Sequence, residues 1–213
     1  TIQGTSAALT GYTAPATAVI SNIDAVEVVN ALGAALTLSN IQAGIQQVTL
    51  DDGLSAARTI TFDSGVAATV NLAADTNYNL TVAAAGSATT DTLTIANTTT
   101  DQDTFDAVAY NFASYEAVTL NGSTTTTRIT QDTAALTGTS GTTTITLAGN
   151  NTFDVAGAIT GKSIDASGLT GNAILDMNAN AAVGVTTITG SNNNVASGDG
   201  DVLVGQAAAA TTI

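Results

Sequence analysis

Apolar and polar residues alternate along this chain in short units that resemble one another. From residue 36 they read Leu36-Thr37-Leu38, Val48-Thr49-Leu50, Ile60-Thr61-Phe62, Val70-Asn71-Leu72, Leu80-Thr81-Val82 and Leu93-Thr94-Ile95. Successive side chains of a strand point to opposite faces, so the two outer residues of each unit enter a core and the middle one meets solvent. Units follow one another at about ten to thirteen residues, with Gly53, Gly65, Asp75, Asn77 and Gly86 between them, the punctuation of many short strands. Two architectures share this rhythm. Antiparallel sandwiches place a turn roughly every 8–12 residues, and a β-solenoid has two such strands per coil of about twenty residues. Sandwich strands usually run to about five or six residues. The units here are shorter and more alike, and the hairpin signal Asn-Gly occurs only at Asn121-Gly122. The expected fold is therefore all-β, a parallel β-helix or β-solenoid of β-roll type, with antiparallel β-sandwich domains as the alternative.

The flanking segments are less regular. Residues 1–20 suggest an edge strand or lead-in. In residues 21–35, Ile23, Val26 and Val29 have helical spacing behind Ser21, whereas Val26 and Val28 alternate as in a strand, so a strand or a single helical turn is expected. Residues 96–117 interrupt the rhythm and hold Phe105, Tyr110, Phe112 and Tyr115. Phe105, Val108, Phe112 and Tyr115 are spaced as on a short helix, and these aromatics are read as a cover for the core. The units then resume at Val118-Thr119-Leu120, Arg128-Ile129-Thr130 and Thr144–Leu147. Residues 149–205 continue with short apolar pieces between turns of Gly, Asn, Asp and Ser. This divides the chain into a β-rich segment 1–95, an aromatic-rich connection 96–117 and a solenoid segment 118–213, or merges all three into one continuous domain.

Composition narrows the function. Seventeen acidic residues against three basic ones, Arg58, Arg128 and Lys162, give a net charge of −14 over 213 residues. Displacing counterions from nucleic-acid phosphates needs clustered cations, so no nucleic-acid partner is expected, and anionic membrane surfaces are disfavoured for the same reason. No apolar run is long enough for a transmembrane helix. An acidic surface attracts divalent cations or cationic partners. The chain has neither cysteine nor histidine, which removes disulfides, thiolate sites and the commonest general base. No enzyme activity is expected. The first residues carry no basic, then apolar, leader pattern, and the chain reads as a processed or excised piece of something larger.

Calcium takes six to eight oxygens from carboxylates, amides and backbone carbonyls, and acidic or amide-rich glycine turns can supply them. The strongest such turn is Asp199-Gly200-Asp201, preceded by Asn192-Asn193-Asn194. Asp101, Asp103 and Asp106 form a second cluster and Asp51-Asp52 a weaker third. The candidate calcium ligands are accordingly Asp199, Asp201, Asn192, Asn193, Asp101, Asp103 and Asp106.

Several phrases resemble the RTX-type bacterial surface-layer proteins, of the kind that coat Caulobacter. They are Ile164-Asp-Ala-Ser-Gly-Leu-Thr-Gly171, Ile188-Thr-Gly-Ser191, Gly198-Asp-Gly-Asp-Val-Leu-Val-Gly205 and, upstream, Phe112-Ala-Ser-Tyr-Glu-Ala-Val-Thr-Leu-Asn121. The family's calcium repeat has two Gly ahead of a spaced Gly and Asp. Here Gly198–Leu203 is one residue short of it, and Gly190-Ser-Asn-Asn-Asn-Val195 has Asn where Asp is expected. The resemblance implies degenerate calcium repeats, secretion to the bacterial cell surface and a structural role. That role is a lattice subunit that associates with itself, with calcium assistance and with cell-surface polysaccharide as a further partner. The alternative is an adhesin or passenger-type β-helix that binds a glycan or host surface.

Overall fold

The structure, a computed structural model, describes residues 1–13, 15, 20–86, 88–99, 109–122, 129–133, 135–177, 182–192, 201 and 203. In chain order the first strands are β1 (Ile2–Gly4), β2 (Ala25–Val28), β3 (Leu36–Thr37), β4 (Gln47–Leu50), β5 (Arg58–Asp63), β6 (Ala67–Leu72), β7 (Leu80–Ala85) and β8 (Thr92–Asn97). They continue with β9 (Ala109–Asn111), β10 (Ala117–Asn121), β11 (Ile129–Thr133), β12 (Ala135–Thr137), β13 (Thr144–Gly149) and β14 (Asn151–Val155). The last are β15 (Ile159–Thr160), β16 (Ser163–Leu169), β17 (Leu175–Asp176), β18 (Ala182–Val183) and β19 (Thr187–Thr189). One short helix, α1 (Ser6–Thr10), follows β1, and Leu38–Asn40 form a 3-10 turn.

These strands stack as a β-solenoid of about seven turns. A nine-stranded sheet runs β1-β2-β4-β6-β8-β10-β13-β16-β19, and a seven-stranded sheet runs β18-β15-β12-β9-β7-β5-β3. A third sheet of three strands, β11-β14-β17, joins them in the later coils. Neighbouring strands pair in parallel, for example Val26↔Val48↔Val70 and Leu36↔Ile60↔Val82. Parallel neighbours require a crossover between them, and here each crossover is the rest of a coil. The coil measures 22 residues at Thr49/Asn71, 25 at Asp91/Glu116 and 24 at Lys162/Thr186. The apolar-polar-apolar units predict this arrangement, because consecutive units alternate between the two large sheets.

A single core runs the length of the solenoid. Val26, Val48, Val70, Ile95, Leu120, Leu147 and Ile164 from one sheet face Ile60, Val82, Leu136 and Ile159 from the other, all buried. Burying such a side chain contributes about 1.5–3 kcal/mol, and contributions of this kind are spread coil by coil rather than gathered in one nucleus.

The two large sheets continue from β7 and β8 into β9 and β10. β8 pairs directly with β10, and Ala109–Asn111 is a strand between β7 and β12. The helix suggested by the spacing of Phe105 to Tyr115 is therefore absent over 109–111; residues 101–108 lie outside the described residues. Tyr110, Phe112 and Tyr115 are buried core residues. Tyr110 sits in register with Leu80 and Leu136, and its hydroxyl lies 2.7 Å from Thr76 Oγ1. Residues 25–28 are strand rather than helical turn, because Val26 and Val28 must both face the core. The helix α1 was not expected. Thr5 Oγ1 accepts the Ala8 N–H at 3.3 Å and caps it, and buried Leu9 joins the core beside β3.

Candidate functional site

Of the predicted calcium ligands, Asp101, Asp103, Asp106, Asn193 and Asp199 lie outside the described residues. Asp201 and Asn192 are described. The Asp201 carboxylate bridges two coils: Oδ1 accepts the Leu175 N–H at 2.8 Å and Oδ2 accepts the Ser191 N–H at 2.5 Å. It thereby holds the start of β17 against the residues that follow β19. Asn192 Nδ2 donates to the Ser167 carbonyl at 3.2 Å, one coil back. Both side chains thus brace the stack. An ionised carboxylate offers about four lone-pair positions, so the two N–H contacts leave Asp201 further accepting capacity.

Asp51 lies beside Glu27 on the outside of the first coils. Burial first, then the hydrogen bond and the charge of Glu27, push the Asp51 carboxyl above its ordinary value. Glu27 Oε1 also accepts from Gln3 Nε2 at 2.6 Å. Asp52 is exposed.

Two acidic arrangements escaped the sequence reading. The first is Asp91, which is 1% exposed. Its Oδ1 accepts the Gly65 N–H at 2.5 Å, and Ser64 Oγ donates to Oδ2 at 3.3 Å. Its own N–H donates to Glu116 Oε2 at 2.8 Å, and the Glu116 N–H returns a bond to the Asp91 carbonyl at 3.1 Å. Three successive turns are tied together at this corner. Tyr115 is buried nearby; burial, reinforced by the charge of Asp91, pushes its phenol well above the ordinary tyrosine value.

The second arrangement is a column in the three-stranded sheet. Asp132 is the register partner of Asp154, and Asp154 of Asp176. Adjacent strands are about 4.8 Å apart, so Asp154 and Asp176 are neighbours in register. The signal was present in Ile129-Thr-Gln-Asp132 and Asn151-Thr-Phe-Asp154, which carry Thr and Asp at the same offsets. Among the described residues, no three acidic side chains converge as a metal centre requires.

One open cleft of about 680 Å³ lies beside α1. Its walls include Ser6, Asn30, Gly33 and Ser55, and no charged residue lines it. Its polar groups serve the backbone: Ser6 Oγ accepts from Gly33 N at 2.8 Å, Asn30 Oδ1 accepts from Ser6 N at 2.7 Å, and Ser55 Oγ donates to the Leu32 carbonyl at 3.3 Å. Among the described residues, no helix is long and apolar enough to cross a membrane. Comparison with known protein families, with curated proteins and with solved structures gives no match.

Proposed function

We propose that the chain is a structural subunit of a secreted bacterial surface lattice, associating with copies of itself with calcium assistance. The observation that carries this reading is the placement of charge on the solenoid. Among the described residues, the strands of the nine- and seven-stranded sheets hold three acids, Glu27, Asp63 and Asp165, whereas each strand of the three-stranded sheet contributes one. A long, regular body with two nearly neutral walls and acids gathered elsewhere suits repeated contact between identical units. Divalent cations would offset repulsion where acids from neighbouring units meet.

The test is to strip the protein with EDTA, return calcium, and image it by electron microscopy. Ordered two-dimensional sheets that form with calcium support the reading, and dispersed particles under both conditions contradict it. The cleft beside α1 favours a second reading, an adhesin-type solenoid that holds a neutral glycan. Glycan binding without self-assembly would establish that one instead.

A further inference from the structure

We infer that the outward face of the nine-stranded sheet, centred on the row Thr69-Thr94-Thr119-Thr146, is the surface on which a second copy of this chain docks. The inference rests on the lattice reading above and adds to it the face through which copies meet.

Charge supplies the first argument. The five consecutive strands β4, β6, β8, β10 and β13 contain no charged residue, in a chain of net charge −14. Two identical acidic bodies repel at any approach that brings their acids together. The three-stranded sheet has an aspartate in every strand and the seven-stranded sheet contains Asp63 and Arg58. The middle of the nine-stranded face is the broadest approach without this repulsion.

Self-complementarity supplies the second. Thr69, Thr94, Thr119 and Thr146 are direct register partners across four strands. Each hydroxyl both donates and accepts, so one such row can bond to another row of its own kind. A row of carboxylates or ammonium groups cannot.

The uncharged area is modest. The five strands β4, β6, β8, β10 and β13, spaced at about 4.8 Å, extend roughly 24 Å, and their outward positions cover roughly 14 Å along each strand. That gives about 340 Å² per copy, below the size of a stable two-body interface. A single contact of this size is weak, and repetition in an array multiplies it.

The experiment is sedimentation velocity of the full chain against concentration, in EDTA and in calcium, for wild type, Thr119→Lys and Asp52→Ser. Both substitutions make the protein one unit less acidic, so net charge alone would strengthen association in both. Docking through this face requires Asp52→Ser to associate at least as tightly as wild type in EDTA and Thr119→Lys about tenfold or more weakly. Equal association of the two variants overturns the inference. Calcium-grown sheets that Thr119→Lys leaves unimpaired overturn the inference alone and leave the lattice reading standing. Wild type that stays monomeric in both conditions overturns the two together, as does a monomer that instead binds a neutral polysaccharide through this face. Circular dichroism verifies the fold, and if Thr119→Lys is unfolded, Ala96→Lys on the neighbouring row of the same face takes its place.

Discussion

At the scale of single residues, two carboxylates serve as backbone braces between turns. Asp91 and Asp201 each accept a backbone N–H from another coil and so satisfy donors that the strand ladders leave over. Asp51 behaves differently. Its carboxyl is raised by burial and by Glu27, so the folded protein holds a proton that the unfolded chain has released. Stability from this group is present in full below the ordinary aspartate value and is lost as pH rises through the raised one. Glu27→Gln removes the opposing charge. Its melting temperature should match wild type at about pH 3.5 and exceed it at pH 7 by the equivalent of about a few tenths of a kcal/mol, because the pair is largely solvated. A variant that melts below wild type at pH 7 would show that the pair is held together favourably. None of these roles is visible locally in the sequence. Asp91 is a lone acid between two threonines, and only the stacking of coils brings Gly65 and Glu116 to it.

At the scale of elements, the strands were the legible part. A unit such as Val48-Thr49-Leu50 fixes which side chains are inside without reference to any other part of the chain. What the units do not carry is register between coils, because coil length varies from turn to turn. The aspartate column was missed for that reason: Asp132, Asp154 and Asp176 are neighbours only once β11, β14 and β17 are aligned. Over Ala109–Asn111 strand replaces the helix that the spacing of Phe105 to Tyr115 suggested, because the phase of Tyr110 is set by Leu80 and Leu136 on adjacent strands, not by its own segment. The short helix α1 has no apolar stripe long enough to announce it. The turns also differ in how tightly they stack. Gly53 has φ of +61°, and a Cβ there would collide with the Asp75 carbonyl of the next coil. Gly44 has φ of +80° but nothing within 4 Å. Gly44→Ala should therefore lose only the cost of its backbone conformation, about 1 kcal/mol. Gly53→Ala should lose clearly more in urea denaturation, since coils must move apart. Equal losses would mean the turns are not in stacking contact.

At the scale of the whole molecule, sequence and structure agree on a rod of stacked coils with apolar residues inside and threonine-rich walls outside. The resemblance to RTX-type surface-layer proteins supplied the expectation of calcium and assembly, and the proposal of self-association is argued from the distribution of charge. Among the described residues, the strands of the two broad sheets hold three acids, Glu27, Asp63 and Asp165, and each strand of the third sheet holds one. The candidate calcium turn at Asp199 and Asp201 enters this picture through Asp201, which ties the last coils together whether or not a cation is bound nearby. The central claim, that this body exists to meet copies of itself, is tested most directly by measuring the mass of the wild-type chain in solution as its concentration is raised, with calcium present. The account predicts growth from the 20.9 kDa monomer to progressively larger assemblies that EDTA reduces. A single 20.9 kDa species at every concentration, with and without calcium, would contradict it.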